Sequence, residues 1–251
     1  MNNNKIFQLV ISIGGALVFW FMLMMLAEAF DSGSSMHRFF EMFGGSKNGY
    51  IQMLTYAAFI YGLLQLTEKQ RIMSKEKEGF KLNLLPEQDQ LVLSPEEVAN
   101  IKLNVLQLEQ RGFKFIVADF IKKACTQYRN DQSIGETLQV LEAQINNHKE
   151  DAEGQLEIVK YIIQAISSLG FIGTVLGLSA SIGLAHLAKT EEGMPTITNN
   201  LNIAFDTTLV ALLLGLILTF FYHRHLADLD SLYSRTKMYI IDNLVSRIYK
   251  G

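Results

Sequence analysis

Two apolar stretches of this chain carry small and hydroxylated residues where lipid-facing helices carry larger ones. In each stretch these residues recur every three or four positions, which keeps them on one helical face. On the first stretch they are Gly170, Thr174, Gly177 and Ser181, and Gly173 also forms a GxxxG pair with Gly177. On the second they are Ala204, Thr208, Ala211, Gly215 and Thr219. Small residues on apolar helices mark faces where two backbones approach closely.

Two interpretations of these faces stay open on spacing alone. In the first, the two helices simply pack together, and each threonine returns its hydroxyl to a carbonyl one turn earlier. In the second, the two faces line a path for a hydrated ion, or a slot for a helix of another protein. Spacing by itself favours packing.

Charged residues near these faces suggest further contacts. Asp206 is the one ionisable residue well inside the two stretches, and it lies about 200° around the helix from Thr208. We therefore assign Asp206 and its neighbour Thr207 to an inter-helix or inter-subunit contact or an access route, and not to the main ion carrier. Glu157 and Lys160 are interpreted first as a snorkelling pair and second as charges at a channel mouth.

Four apolar segments predict membrane-spanning helices, over 9–27, 50–66, 161–187 and 201–222. A span needs about 20 helical residues, so the second segment, which contains Gln52, Thr55 and Gln65, is the marginal one. Four spans place both termini on one side of the membrane. That side holds nineteen of the 22 lysines and arginines, so the positive-inside rule makes it the cytoplasm.

The polar region after the second span predicts a helical cytoplasmic domain. Ser94–Glu97 and Ser133–Glu136 have the pattern of capping boxes that start helices. From residue 134 an apolar seam runs without a break into the third span, which predicts one helix over 134–187, about 80 Å long. The chain is thus expected to be an all-α membrane protein with parts 1–66, 67–157, 158–224 and 225–251, the last an amphipathic cytoplasmic helix.

Other functional classes find no support in the sequence. A net charge of -3 without a basic patch gives no reason to expect nucleic acid. Neither a nucleophile–base set nor a phosphate-binding loop is present, so we expect no enzyme, cofactor or metal site. The lone cysteine, Cys125, is read as a buried hydrophobe, and His148 as a packed core histidine. His223 and His225 point apart on a helix and are read as an interfacial cationic cap.

The two stretches resemble the signature of the MotA/TolQ/ExbB proton channel family. Residues 169–178 read Leu-Gly-Phe-Ile-Gly-Thr-Val-Leu-Gly-Leu, and residues 204–209 read Ala-Phe-Asp-Thr-Thr-Leu. The family patterns are Pro-x-Leu-Gly-Leu-Leu-Gly-Thr-Val-x-Gly and Ala-Leu-x-Thr-Thr-Ala. Here Ser168 replaces the proline, Phe205 the leucine and Ala211 a following glycine. The four-span layout is most similar to the MotA branch. The lack of proline in spans three and four differs from that branch.

The resemblance implies a stator subunit of a rotary motor in the bacterial inner membrane. It implies a ring, in this family a pentamer, in lipid around two copies of a single-span partner of the MotB/TolR/ExbD type. Thr174 and Thr208 would face the partner's aspartate, which carries the proton, and sodium is not excluded. The loop between the first two spans would be periplasmic, and spans three and four would line the channel.

Hydroxyl chemistry agrees with that implication, because a threonine donates and accepts hydrogen bonds without titrating. The proton-motive force would drive work in motility, outer-membrane energisation or phage defence. The alternative is a non-conducting membrane scaffold of an envelope complex. A secondary transporter is disfavoured because the sequence has no inverted repeat.

Overall fold

The computed structural model of the chain describes residues 3–31, 33–44, 49–86 and 92–248. Regular structure in these ranges is helical, apart from one isolated bridge between Leu93 and Ile248. The α-helices are α1 (Asn3–Glu28), α2 (Ser35–Met42), α3 (Tyr50–Glu76), α4 (Pro95–Gln110), α5 (Ile116–Asp131), α6 (Ile134–Gly154), α7 (Glu157–Gly183) and α8 (Gly193–Asn243). Short 3-10 helices cover Lys77–Leu82, Ala185–Leu187 and Val245–Arg247. The all-α prediction is confirmed for this part of the chain.

Three helical segments of the described chain are long and apolar enough to cross a membrane: Lys5–Glu28, Ile134–Gly183 and Gly193–Arg247. The helix α3 covers the expected second span but is not among them. Its glutamines at 52 and 65, both buried, lower the hydropathy of an otherwise apolar stretch. A fourth span over residues 50–66 therefore stays a prediction.

The observed helix bounds differ from the expected ones at two places. The helix predicted over 134–187 is interrupted by a turn at Gln155 and Leu156, and α7 ends at Gly183. After Gly154 the N–H of Leu156 donates to the oxygen of Glu153 at 2.8 Å, a 3-10-type bond that tightens the chain at a residue with low helix propensity. The helix predicted over 225–251 is observed as the last part of α8, which is continuous with the fourth apolar segment because no glycine or proline lies between 216 and 243.

The described chain forms two compact units. The first contains Met1–Thr67 and Glu157–His223, and the second contains Glu68–Leu156 and Arg224–Gly251. Each unit is therefore built from two stretches that are distant in sequence. The candidate interface of small residues lies wholly within the first unit.

The second unit has a helical core to which α4, α5, α6 and the last part of α8 contribute. Its largest fully buried side chains are Leu85, Leu93, Val98, Val105, Phe120, Ile121, Leu141, Ile240 and Leu244. The predicted capping box at Ser94 is confirmed, since its Oγ accepts from the N–H of Glu97 and its N–H donates to the Glu97 carboxylate at 2.7 Å. At Ser133 only the first of the two bonds is present. Cys125 is buried, as expected.

Two histidines of the second unit lie in surroundings that differ from the expected ones. The side chain of His148 is exposed and lies at the rim of the core, where Nδ1 is 2.6 Å from the hydroxyl of Tyr233. His225, read as part of a cationic cap, is buried, and its Nδ1 is 2.6 Å from Oε1 of Gln70. A buried imidazole needs a hydrogen-bond partner, and here that partner lies far away in sequence.

In the first unit, α1, α3 and α8 share a small buried cluster of Ala16, Leu23, Tyr56 and Val210. In the same unit, the side-chain nitrogen of Gln65 on α3 donates to the side-chain oxygen of Gln8 on α1 at 2.5 Å. Large apolar side chains cover the outside of the unit, including Phe21, Leu216 and Phe220, each more than 60% exposed. Such surfaces are compatible with lipid or with neighbouring subunits.

Candidate functional site

The helices α7 and α8 meet along their small residues. An ideal Cβ built at Gly170 would lie 2.5 Å from the Cβ of Ala211, and one at Gly177 would lie 2.6 Å from the Cβ of Ala204. Carbon atoms in contact are normally about 3.5–4.0 Å apart. No side chain therefore fits at these two glycines, and their absence of a Cβ is what allows the two backbones to approach.

Thr207 occupies the space that a side chain at Gly173 would need. The Cβ of Thr207 would lie 2.6 Å from an ideal Cβ at that glycine. Thr207 is 1% exposed, and its hydroxyl donates to the carbonyl oxygen of Ala204 at 2.8 Å. This threonine is thus a packing residue of the α7–α8 interface, held in a notch that only glycine can form.

Thr174 and Thr208 lie side by side at the same interface. Their hydroxyls hydrogen-bond to each other, and the Thr208 hydroxyl also lies 2.9 Å from the carbonyl oxygen of Gly170. The Thr174 hydroxyl lies 3.2 Å from the carbonyl oxygen of Ala204. Both threonines are half-buried, so the single chain leaves part of each side chain uncovered. The pair can donate and accept hydrogen bonds but does not titrate.

Ser181 closes the interface at one end. Its hydroxyl lies 2.9 Å from the carbonyl oxygen of Gly177 on its own helix and 3.2 Å from that of Ile197 on α8. The serine is buried. Its contacts are those of helix packing.

Asp206 points to a different neighbour. Its carboxylate forms a two-pronged ion pair with Arg38 of α2, with Oδ2–Nη1 and Oδ1–Nη2 distances of 2.8 and 2.9 Å. Asp206 is only 7% exposed. Arg38 was not singled out in the sequence, although a carboxylate within an apolar segment requires a cationic partner and few basic residues lie outside the regions assigned to the cytoplasm.

Glu157 and Lys160 lie at the start of α7, away from the other candidate residues. Their charged atoms are 3.5 Å apart, and both side chains are 65% exposed. An exposed pair of this kind contributes little to stability. Lys160 precedes Thr174 by fourteen residues of one helix, which corresponds to ~20 Å.

The structure thus separates the candidate residues into three groups. One interface brings together Gly170, Gly173, Thr174, Gly177, Ser181, Ala204, Thr207, Thr208 and Ala211. Asp206 faces α2, and the charged pair lies near the beginning of α7. The spacing of the small residues was sufficient to predict the interface. The ion pair joins positions 168 residues apart, so no spacing pattern in the sequence predicts it.

Comparison with protein families gives a match over the middle of the chain. The model of the MotA/TolQ/ExbB proton channel family matches residues 114–238, about half of the chain, and this range contains both motifs. Comparisons with curated proteins and with solved structures gave no match. Members of the family are channel or scaffold proteins that form oligomeric membrane complexes with partners. The apolar helices, the two motifs in their helical context and the matched range lead to one conclusion: the chain belongs to the MotA/TolQ/ExbB proton channel family.

Proposed function

We propose that this chain is a proton-channel (stator) subunit of an ion-driven rotary motor. Several copies, in our expectation five, form a ring around two copies of a single-span protein of the MotB/TolR/ExbD type. The complex lies in the bacterial inner membrane with both chain termini in the cytoplasm. Each proton that crosses the membrane releases roughly 2.3 kcal/mol per 100 mV of potential, and the ring converts this energy into mechanical work in the cell envelope.

The pair of Thr174 and Thr208 carries the proposal. It lies within the range matched by the family, at an interface whose glycines hold α7 and α8 in close contact. Both hydroxyls are satisfied within the chain, yet both side chains are half-buried. A partner helix placed against the uncovered side would meet hydrogen-bonding groups that cannot bind a proton themselves. Such groups can solvate a carboxyl in either protonation state and do not trap its proton.

A non-conducting scaffold is the second candidate, and one observation favours it. Every polar atom of the threonine pair already has a partner inside the chain. Helix packing alone therefore accounts for both threonines. The two functions differ in whether protons cross the assembled complex.

The test is proton flux into proteoliposomes that contain the chain and its proposed single-span partner. Thr208→Val replaces the hydroxyl with a methyl of similar size, and we expect it to reduce flux at least tenfold while the ring stays assembled in native mass spectrometry. The matched control is Thr198→Val on the same helix. The Thr198 side chain is exposed, and its hydroxyl bonds the carbonyl oxygen of Met194 at 2.9 Å, so flux should be unchanged.

Unchanged flux in Thr208→Val would refute the role of this hydroxyl in the ion path. A parent complex that assembles but conducts no ion would favour the scaffold. Replacing external sodium with choline identifies the ion: flux that persists is carried by protons, and flux that stops requires sodium. Native mass spectrometry of the parent complex tests the expected ratio of five subunits to two partners.

A further inference from the structure

The short helix α2 contacts the channel helix α8 through the side chain of Arg38. Both terminal guanidinium nitrogens of Arg38, Nη1 and Nη2, engage the two carboxylate oxygens of Asp206, at 2.8 and 2.9 Å. A planar fork of this kind fixes orientation as well as distance, which a lysine at the same position would not do. The aspartate side chain is 9% exposed, against 45% for the arginine, so the buried carboxylate depends on this partner.

The segment that carries Arg38 is itself held in place by hydrogen bonds to two other helices. The His37 ring nitrogen Nδ1 is 2.8 Å from the carbonyl oxygen of Ala27 near the end of α1. After α2, the carbonyl oxygen of Phe43 accepts a 2.7 Å hydrogen bond from the hydroxyl of Tyr56 on α3. The arginine therefore connects α8 to a segment that is attached to two other helices of the first unit.

Three consecutive residues of α8 face three different surroundings. Asp206 contacts α2, Thr207 fills the notch at Gly173 of α7, and Thr208 bonds to Thr174. Successive residues are 100° apart around a helix, so the ion pair and the notch hold one turn of α8 from two directions. A rotation of α8 would disturb both contacts together.

We propose that Arg38 is a positioning residue, which fixes the rotation of α8 through Asp206 and thereby keeps Thr208 against Thr174. The proposal rests on the proposed function, because it gives the threonine pair its alignment in the ion path. A side-chain atom lies ~5 Å from the helix axis, so a rotation of about 20° moves it by nearly 2 Å. That displacement is enough to lose a hydrogen bond of ordinary length.

The test is disulfide cross-linking of Thr174→Cys and Thr208→Cys in the full chain carrying Cys125→Ala, in native membranes treated with copper phenanthroline. Free thiols are counted by mass after labelling. Adding Arg38→Gln leaves the buried carboxylate unpaired, and we expect the cross-linking yield to fall at least fivefold. Adding Asp206→Asn as well removes the unpaired charge but does not restore the positioning contact, so the yield should recover only in part, to about half of the parent value. Arg38→Lys keeps the charge but not the planar fork, so its cross-linking yield should lie between the yields of Arg38→Gln and of the double variant.

Arg129→Gln is the matched control, because this exposed arginine lies on α5 in the second unit, and its yield should equal that of the parent. A parent pair that does not cross-link, or a yield unaffected by Arg38→Gln, would overturn the proposal. Loss of proton flux in Asp206→Asn at an unchanged yield would also overturn it, since Asp206 would then act on the ion itself. Cross-linking needs neither partner nor ion. A dependence on Arg38 in a complex that does not conduct would therefore support the positioning role and contradict the proposed function.

Discussion

Gly170→Ala should destabilise the first unit by crowding α8. The added methyl would lie 2.5 Å from the Cβ of Ala211, about 1 Å closer than carbon atoms normally approach. Overpacking of this size costs ~1–3 kcal/mol, whereas alanine gains up to about 1 kcal/mol over glycine in helix propensity. An approach this close places the overpacking cost in the upper part of that range, so the net loss should be about 1–2 kcal/mol, or roughly 5- to 30-fold in the unfolding equilibrium.

The reciprocal substitution gives the sharper result. Ala211→Gly removes the clashing atom, and the new methyl at residue 170 would then lie 3.3 Å from the Cα of Thr208 and 3.5 Å from the oxygen of Thr207. The double variant exchanges one glycine for another, so the helix propensities of the two positions nearly cancel. Its stability should return to within about 0.5 kcal/mol of the parent. Because Ala211→Gly alone costs about 1 kcal/mol of helix propensity, the coupling energy of the pair should be ~2–3 kcal/mol.

Reversible unfolding in mixed micelles of dodecyl maltoside and SDS provides the assay. The chain has one tryptophan, Trp20 on α1, and its fluorescence therefore reports on the first unit. Gly183→Ala is the control within α7, since an ideal Cβ there has no neighbour within 4 Å. It should leave the unfolding midpoint unchanged or raise it slightly.

Either of two results would refute the reasoning. If Gly170→Ala is as stable as the parent, the two helices do not approach closely at this position. If the double variant is no more stable than Gly170→Ala alone, the loss has a cause other than contact with residue 211. Both outcomes would remove the geometric basis for placing the threonine pair in one interface.

Two further predictions concern the second unit. Burial raises the pKa of Cys125 to about 12, so at pH 8 the thiol should resist N-ethylmaleimide until SDS is added, and rapid labelling without SDS would contradict its burial. Burial alone would raise the pKa of Asp119, but hydrogen bonds from Lys123 and Lys122 and their charges lower it overall. The folded protein then binds this proton less tightly than the unfolded chain, so the stabilisation present above about pH 4 is lost as the pH falls through the folded pKa. Asp119→Asn should flatten that acid loss in urea titrations, and an unchanged pH slope would count against the ion pairs.

Local signals in the sequence were sufficient for much of the fold. Ser94 and Pro95 mark the start of α4 because capping depends on residues within one turn. The glycines of α7 and the small residues of α8 indicated a close helix pair, because a missing Cβ on an apolar helix has few other uses. The same signals gave the order of the helices and the position of the threonine pair on them.

Other features depend on residues that are distant in sequence. Arg38 and Asp206 are 168 positions apart, and His225 and Gln70 are 155 apart, so no local pattern joins either pair. The turn after Gly154 was missed because buried Leu156 continues the apolar period through it. Periodicity reports which face is buried and is insensitive to a short change in hydrogen bonding.

The core of the second unit has a consequence for biosynthesis. Residues Leu229, Leu232, Tyr233, Ile240 and Leu244 of the chain's last forty complete a core begun by α4 and α5. When the ribosome has made α6, these helices still lack the side chains that cover them. The apolar segments of α7 and α8 must leave the exit tunnel before the residues that complete this core emerge. Until then the nascent domain offers an open apolar face to chaperones and proteases, and its closure marks a chain whose translation has passed both segments.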